Sequence, residues 1–185
     1  EDLKEIENAA LRCKGIVENL LNFSRQTKNT DRSPIDVNKA IDGILPLFRL
    51  KLKTMNVEIE TDYAKKLNDI FANATQIQQV ILNLVSNAAD SMPEGGVITI
   101  QTEEDIKTGL VRIQVRDTGV GIESKHLNRI FDPYFTTKAM GDGTGLGLSI
   151  SYNIIREHHG RIEVESKIDK GSLFTVSLPV CEKKV

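Results

Sequence analysis

Glycine occupies every second position from Gly141 to Gly147 in the stretch GDGTGLGLSI (141–150). Backbone N–H groups without side chains, placed just before a helix, favour an anion such as a phosphate chain. A Walker P-loop requires a lysine after its last glycine, and none follows here. A dinucleotide-binding loop requires a strand directly before it, whereas FDPYFTTKAM (131–140) does not have the pattern of a central strand. The stretch therefore predicts a phosphate-binding loop of another type, with a flexible surface loop as the alternative.

A second glycine pair follows a predicted strand in VRDTGVGI (115–122). Asp117 ends the strand, and an aspartate in this position can accept a hydrogen bond from an exocyclic amine such as that of adenine. Gly119 and Gly121 would allow the backbone to approach a flat ring closely. The alternative is a β-turn with a capping aspartate.

A polar stripe follows the helix predicted for QIQQVILNLVSNAADSM (76–92). Asn83, Asn87 and Asp90 are spaced at i, i+4 and i+7, which places them on one side of the helix. Asparagine is a poor residue inside a helix, so two on one stripe require a reason. An amide oxygen is a suitable ligand for Mg²⁺ that is held mainly by phosphates and water. The alternative is a solvated polar face.

The elements that must position these segments follow from hydrophobic periodicity. Helical spacing covers 37–54, and the pattern of 75–91 is that of a strongly amphipathic helix closed by Pro93. A third helix is predicted at 146–159. Strands are predicted at 56–63, 69–72, 97–104, 110–117, 161–167 and 172–180. This order predicts an α+β domain in which helices cover one face of a mixed sheet.

The first 28 residues read as a separate helix. Apolar and small residues recur at alternating steps of three and four from Leu3 to Ser24, which is a heptad seam. We expect this helix to pack against partners outside the chain, the alternative being packing on its own domain. Pro34 lies at the end of a polar stretch, so we predict a linker at 29–36 and a second unit at 37–185.

Composition excludes several classes of function. The chain has 185 residues, 27% of them charged, and a net charge of −2, which gives no basic excess for nucleic acid binding. Its two cysteines are far apart and lack metal-ligand spacing. No apolar run approaches the roughly 20 residues that cross a bilayer.

The three segments in this order, joined by IFDPYFTTK (130–138), resemble the catalytic ATP-binding domain of bacterial sensor histidine kinases. These kinases belong to the GHKL superfamily, and NAADSM and DPYFTTK are most similar to the nitrogen-regulation branch. The resemblance covers 34–180, and residues 1–28 resemble the second helix of the dimerisation and phosphoacceptor hairpin. It implies a GHKL-type α/β sandwich, in which three helices cover one face of a mixed sheet of about five strands, preceded by the long N-terminal helix.

The resemblance also implies the cofactors, ATP and Mg²⁺, and the roles of individual residues. Asp117 would bind the adenine amino group, and Asn87 would bind Mg²⁺. Asn83 and Lys138 would lie near the phosphates. Residues 133–145, which include Lys138, would form an ATP lid. The implied set of nucleotide-binding residues is Asn83, Asn87, Asp90, Asp117, Gly119, Gly121, Ile122, Lys138, Gly143, Thr144, Gly145, Leu146, Gly147, Leu148 and Ser172.

One position separates the possible reactions. GHKL hydrolases carry a glutamate general base one turn before the metal-binding asparagine, and Asn83 stands there in this chain. An amide has no basicity, so we expect slow hydrolysis and transfer of the γ-phosphate to a histidine, with Asn83 and Lys138 as catalytic residues. A nucleotide-gated binding module without transfer activity and a GHKL-type ATPase are the alternatives.

The histidine acceptor is expected elsewhere. His126, His158 and His159 are the histidines of the chain, and the residues around them predict cap or surface roles. The resemblance therefore implies as partners an acceptor-histidine helix absent from this sequence, a second kinase subunit and a response regulator. It implies a cytoplasmic domain, and a membrane tether before residue 1 is compatible with the sequence.

Overall fold

The structure is a computed structural model that describes residues 31–138 and 143–181, with only the backbone of 49–51. The predicted N-terminal helix at 1–28 lies outside the described residues. So do residues 139–142, which include the first glycine of the glycine-rich stretch. Among the residues that are described, no helix is long and apolar enough to cross a membrane.

The described residues form the predicted mixed sheet of five strands. The strands in chain order are β1 (Ser33–Ile35), β2 (Val57–Tyr63), β3 (Ile70–Ala72), β4 (Gly96–Asp105), β5 (Leu110–Asp117), β6 (Arg161–Ser166) and β7 (Ser172–Pro179). The main sheet has the order β2-β4-β5-β7-β6, while β1 and β3 form a separate antiparallel ribbon. The pair β2–β4 is parallel, and the other pairs of the main sheet are antiparallel. The fold class predicted from the sequence is therefore confirmed.

Helices cover one face of this sheet. The helices are α1 (Val37–Asp42), α2 (Leu45–Thr54), α3 (Ala74–Asp90), α4 (Ser124–Leu127) and α5 (Gly147–Glu157). Helix α2 contacts β2, α3 contacts β4 and β5, and α5 contacts β6 and lies beside α3. The buried side of α3 carries the apolar residues that the periodicity predicts: Ile77, Val80, Ile81, Leu84, Val85 and Ala88.

Alternation along β5 determines where its last residue points. Val111, Ile113 and Val115 are buried under the helices, whereas Arg116 is exposed on the other face. Because side chains alternate along a strand, Asp117 continues the buried series. A carboxylate thus lies at the end of an apolar row, beneath α3.

Two predicted segments differ from the structure. The helical segment predicted at 37–54 is divided at Gly43, which is the C-cap of α1. The N–H of Gly43 donates to the carbonyl oxygens of Lys39 and Ile41. Pro46 then lies in the first turn of α2, where a missing N–H does not cost a helical bond. Part of the predicted linker, Ser33–Ile35, is a strand that pairs with β3.

His158 connects the start of α3 to the end of α5, far from the carboxylate of Asp117. Its Nε2 accepts the N–H of Asn73, the N-cap of α3, at 3.1 Å, and its Nδ1 lies 2.8 Å from the Ile154 carbonyl oxygen. The proton is therefore on Nδ1, in the neutral ring. The cap position predicted for His158 is confirmed, but the side chain is only 2% exposed and is not a surface group.

Candidate functional site

A cavity of about 410 Å³ opens between α3, α5 and the end of β5. It brings together the asparagine stripe, the first glycine turn, the phenylalanine segment and the glycine-rich stretch, which are far apart in sequence. The predicted residues that line it are Asn83, Asn87, Asp90, Asp117, Gly121, Ile122, Lys138, Gly143, Thr144, Gly145, Gly147, Leu148 and Ser172. Gly119 and Leu146 lie beside the cavity without lining it.

Asp117 has one saturated carboxylate oxygen. Its Oδ1 accepts the N–H groups of Gly119 at 2.9 Å and Ser172 at 3.2 Å, and lies 3.2 Å from the hydroxyl of Ser91. These three contacts are all made by Oδ1, so Oδ2 is the oxygen with capacity to accept a ligand donor. The side chain is 3% exposed, and burial raises the pKa of this carboxyl although the hydrogen bonds oppose the rise.

Gly119 and Gly121, which follow Asp117, lie so close to neighbouring backbone that a side chain would not fit at either position. A Cβ on Gly119 would lie 2.6 Å from the carbonyl oxygen of Ser91, which is far inside normal contact. Gly121 has φ +73°, and a Cβ there would strike the carbonyl of Lys167. The structure thus adds a reason that the sequence did not reveal: both glycines let the turn pack against backbone at the cavity's edge.

Asn83 connects the middle of α3 to the start of α5. Its Nδ2 donates to the carbonyl oxygen of Gly147 at 3.0 Å and to the hydroxyl of Ser151 at 3.1 Å. The amide nitrogen is therefore turned towards α5 to satisfy the Gly147 carbonyl. Sequence spacing placed Asn83 on the correct stripe but did not predict this clasp.

One turn later on the same stripe, Asn87 lines the cavity. No described residue bonds its side chain, so its amide oxygen can serve as a ligand. No group of three or more His, Cys, Asp or Glu side chains within 31–138 and 143–181 could hold a metal ion. A hard cation at Asn87 would therefore take most of its ligands from a bound polyanion and from water, which is the manner in which Mg²⁺ is usually held.

Asp90 and Lys138 form an ion pair in the lining of the cavity. Lys138 Nζ lies 2.7 Å from Asp90 Oδ2, and the two side chains are 34% and 29% exposed. The N–H of Lys138 donates to the hydroxyl of Thr136 at 3.1 Å, which fixes the backbone from which the ammonium extends. The two residues were predicted as members of the site, but their pairing was not.

Ser91 lines the cavity and was not singled out in the sequence. Its carbonyl accepts the N–H of Val120 at 3.1 Å, and its hydroxyl lies 2.8 Å from the Ala88 carbonyl and near Asp117. It thereby attaches the end of α3 to the first glycine turn. A serine at a helix end carries no signal in sequence for a contact made 26 residues away.

Phe135 is another lining residue that was not predicted individually. The Arg129 guanidinium lies 4.9 Å from the centre of its ring, and the His126 ring centre lies 5.4 Å away. Its neighbour Tyr134 has φ +67° and donates its N–H to the Gly145 carbonyl at 2.9 Å. The phenylalanine segment thus holds the glycine-rich stretch against the cavity. The quoted FDPYFTTK stretch was the available signal.

Comparison with known proteins supports this assembly. Residues 72–182 match the family described as histidine kinase-, DNA gyrase B- and HSP90-like ATPase. The chain is 36% identical over 191 residues to the sensor kinase CckA of Brucella abortus, an alignment that covers 96% of this chain and 20% of that protein. It therefore spans about a fifth of the length of this curated relative, and between 27% and 35% of the length of two related kinases.

Two solved structures extend the likeness to the fold. The catalytic domain of histidine kinase ThkA superposes with a TM-score of 0.72 at 34% identity, covering 81% of this chain and 96% of that one. ThkA in complex with the response regulator TrrA gives a TM-score of 0.77 at 30% identity, covering 97% of this chain and 51% of that one.

Proposed function

The chain belongs to the family of histidine kinase-, DNA gyrase B- and HSP90-like ATPases, and on this premise we propose that it is the ATP-binding kinase domain of a sensor histidine kinase. One observation carries the proposal. A single cavity has a buried acceptor, Asp117, at one end and the phosphate-binding groups Asn87, Lys138 and the glycine-rich stretch around the rest. A purine nucleotide has the matching distribution, with an exocyclic amine at one end and a polyanion at the other.

At the adenine end, Asp117 Oδ2 accepts the exocyclic amine, because Oδ1 is already held by protein donors. The half-buried side chain of Ile122 provides apolar contact for the ring. Ser172 lies beside the carboxylate, where its backbone N–H orients Asp117. The turn from Gly119 to Gly121 keeps the backbone close to the ring.

At the phosphate end, Asn87 contributes an amide oxygen to a Mg²⁺ ion that the phosphates and water otherwise hold. Lys138 and the backbone of 143–148 bind the phosphate oxygens. Gly147 begins α5, so its N–H and the positive end of the helix dipole face the same region. Magnesium would supply charge neutralisation of the transferring phosphoryl group.

Transfer rather than hydrolysis follows from the side chain at 83. The amide of Asn83 cannot accept a proton from water, and its nitrogen is already bonded to Gly147 and Ser151. The γ-phosphate would therefore wait for a stronger nucleophile. Among the three histidines of the chain, His158 is buried and bonded at both ring nitrogens. We propose that the acceptor histidine lies on another segment, as in the family the chain resembles, with a second kinase subunit and a response regulator as further partners.

Calorimetric titration of ATP with Mg²⁺ tests nucleotide binding. We expect the parent chain to bind, and Asp117→Asn to weaken binding roughly ten- to a hundredfold, since a hydrogen bond to a charged acceptor is lost. Asn87→Ala should remove most of the gain that Mg²⁺ provides. Asp62→Asn is the matched control, because Asp62 is an exposed carboxylate on β2 that bonds Gln101 outside the cavity. Absence of binding by the parent would contradict the proposal.

Phosphoryl transfer is tested separately. The chain is mixed with [γ-³²P]ATP and an isolated acceptor hairpin from a related sensor kinase, and acid-labile phosphate on the hairpin is measured. We expect label on the hairpin histidine and none on this chain. Binding without transfer would support the alternative of a nucleotide-gated module, and rapid steady release of phosphate would support an ATPase.

A further inference from the structure

Among the described residues of the proposed nucleotide site there is one cationic side chain, and a carboxylate neutralises it. Of the described residues that line the cavity, Lys138 alone carries a positive charge, while Asp90 and Asp117 carry negative ones. Lys138 Nζ lies 2.7 Å from Asp90 Oδ2. The part of the cavity that would meet the phosphates therefore has a paired charge rather than a free cation.

Local helix stability does not explain a carboxylate at this position. Asp90 is the last residue of α3, where a negative charge opposes the helix dipole. The contact with Lys138 joins residues 48 positions apart, so it does not support the helix either. Both members of the pair line the cavity, so the charge of Asp90 acts on what binds there.

We infer that Asp90 makes the site select the Mg²⁺ complex of the nucleotide over the free nucleotide. This inference rests on the proposed function. The metal-free triphosphate carries about two more negative charges than its magnesium complex, so the charge of Asp90 repels it more strongly. Lys138, the cation among the described lining residues, is paired with Asp90 and offsets this repulsion less than an unpaired lysine would. The magnesium complex brings its own cation and depends less on Lys138. Asp90 is thus a specificity-determining residue that acts on the charge of the ligand.

The size of the effect follows from Coulomb's law. Two additional charges at about 8 Å from a carboxylate, in a nearly aqueous dielectric, change the binding constant roughly fivefold. The effect is electrostatic between partly exposed groups, so it should shrink as the salt concentration rises.

The experiment measures dissociation constants for ATP with excess Mg²⁺ and with EDTA, on the parent chain and on Asp90→Asn. We expect Asp90→Asn to tighten binding of metal-free ATP more than binding of the magnesium complex, so that the ratio of the two dissociation constants changes roughly fivefold. Asp90→Glu, which keeps the charge, should retain the parent ratio, and Asp62→Asn is the control for removal of a remote charge. The substitution of Asp by Asn preserves shape, which limits the risk to folding.

A second readout needs no nucleotide. Removal of the Asp90 charge should increase the rate at which Lys138 is acetylated by a small reagent, relative to the exposed Lys107 in the same sample. The acetylation rates are obtained by mass spectrometry. Unchanged Lys138 reactivity would show that the pair does not hold the ammonium and would overturn the inference.

The other outcomes are equally decisive. An unchanged ratio of the two dissociation constants in Asp90→Asn overturns the selectivity. Weaker binding of the magnesium complex alone would make Asp90 part of the metal's coordination and would also overturn it. If the parent binds neither form, the proposed function itself fails, and this is distinct from a parent that binds both forms with a ratio insensitive to Asp90.

Discussion

The side-chain nitrogen of Asn83 lies 3.0 Å from the carbonyl oxygen of Gly147, and the same nitrogen lies 3.1 Å from the hydroxyl of Ser151. The middle of α3 is thereby fastened to the first turn of α5. Gly147 lines the cavity, so the clasp determines where the start of α5 stands relative to the asparagine stripe.

Asn83→Ala should loosen this clasp. Two hydrogen bonds are lost, and we expect the free energy of unfolding to fall by about 1–2 kcal/mol, together with weaker binding of Mg²⁺–ATP. Urea denaturation and calorimetry measure the two effects. Ser151→Ala leaves the Asn83–Gly147 bond but removes the two bonds of its own hydroxyl, to Asn83 and to the Gly147 carbonyl, so it should cost a similar amount. Asn153→Ala, an exposed site on α5, should change the unfolding free energy by no more than about 0.5 kcal/mol; losses of equal size at positions 83 and 153 would contradict the assignment.

Gly119→Ala should disrupt the turn next to Asp117. The added methyl group would lie 2.6 Å from the Ser91 carbonyl, and we expect a loss of about 1–3 kcal/mol in unfolding free energy with impaired nucleotide binding. Gly147→Ala is the matched control. The nearest atom to a Cβ there is Asn83 Cγ at 3.7 Å, an ordinary contact, so its unfolding free energy should change little. Equal effects of the two substitutions would show that crowding at Gly119 is not the cause.

Asp117→Asn should increase stability while it weakens nucleotide binding. Burial raises the pKa of Asp117 above its ordinary value of 3.8, so the folded parent resists ionisation more than the unfolded chain does. The parent therefore loses stability as pH rises from 3.8 through the folded pKa, and it carries this cost at neutral pH. Asparagine has no charge to bury. We expect a higher unfolding free energy for the variant at pH near 7, an advantage that shrinks on acidification, and an opposite pH trend would contradict this account.

His158 should make stability fall on mild acidification. Burial lowers its pKa below the ordinary value of 6.5, and the nearby Arg32 acts in the same direction. Below pH 6.5 the ring binds a proton readily in the unfolded chain but not in the folded chain. The stabilisation from the neutral His158 is therefore complete above pH 6.5, and it is lost as the pH falls through the pKa of the folded state. Denaturation curves between about pH 7.5 and 5.5 measure the slope.

A variant assigns that slope to one ring. His158→Gln should flatten the slope although it lowers stability at the upper pH, where the bond to Asn73 is weakened. A steep slope that survives in His158→Gln would assign the acid sensitivity to other groups.

Local pattern alone was sufficient for most of the fold. The buried side of α3 follows from apolar spacing, and β4 and β5 follow from alternation across a short turn, because these features depend on residues a few positions apart. The break at Gly43 and the strand Ser33–Ile35 could not be predicted in this way. The strand depends on a partner elsewhere, because β1 forms by pairing with β3, 35 residues or more along the chain.

The sequence by itself determined the chemistry of the candidate site: an aspartate at a strand end, two asparagines on one helical stripe, and a glycine-rich stretch before a helix. The tertiary structure decided how these groups are used. The Asn83–Gly147 bond joins residues 64 positions apart and the Asp90–Lys138 pair joins residues 48 apart. Such contacts exist only after the sheet has placed α3 beside α5 and the end of β5. Residue types fix what a side chain can donate or accept, whereas the packed helices and sheet choose its partner.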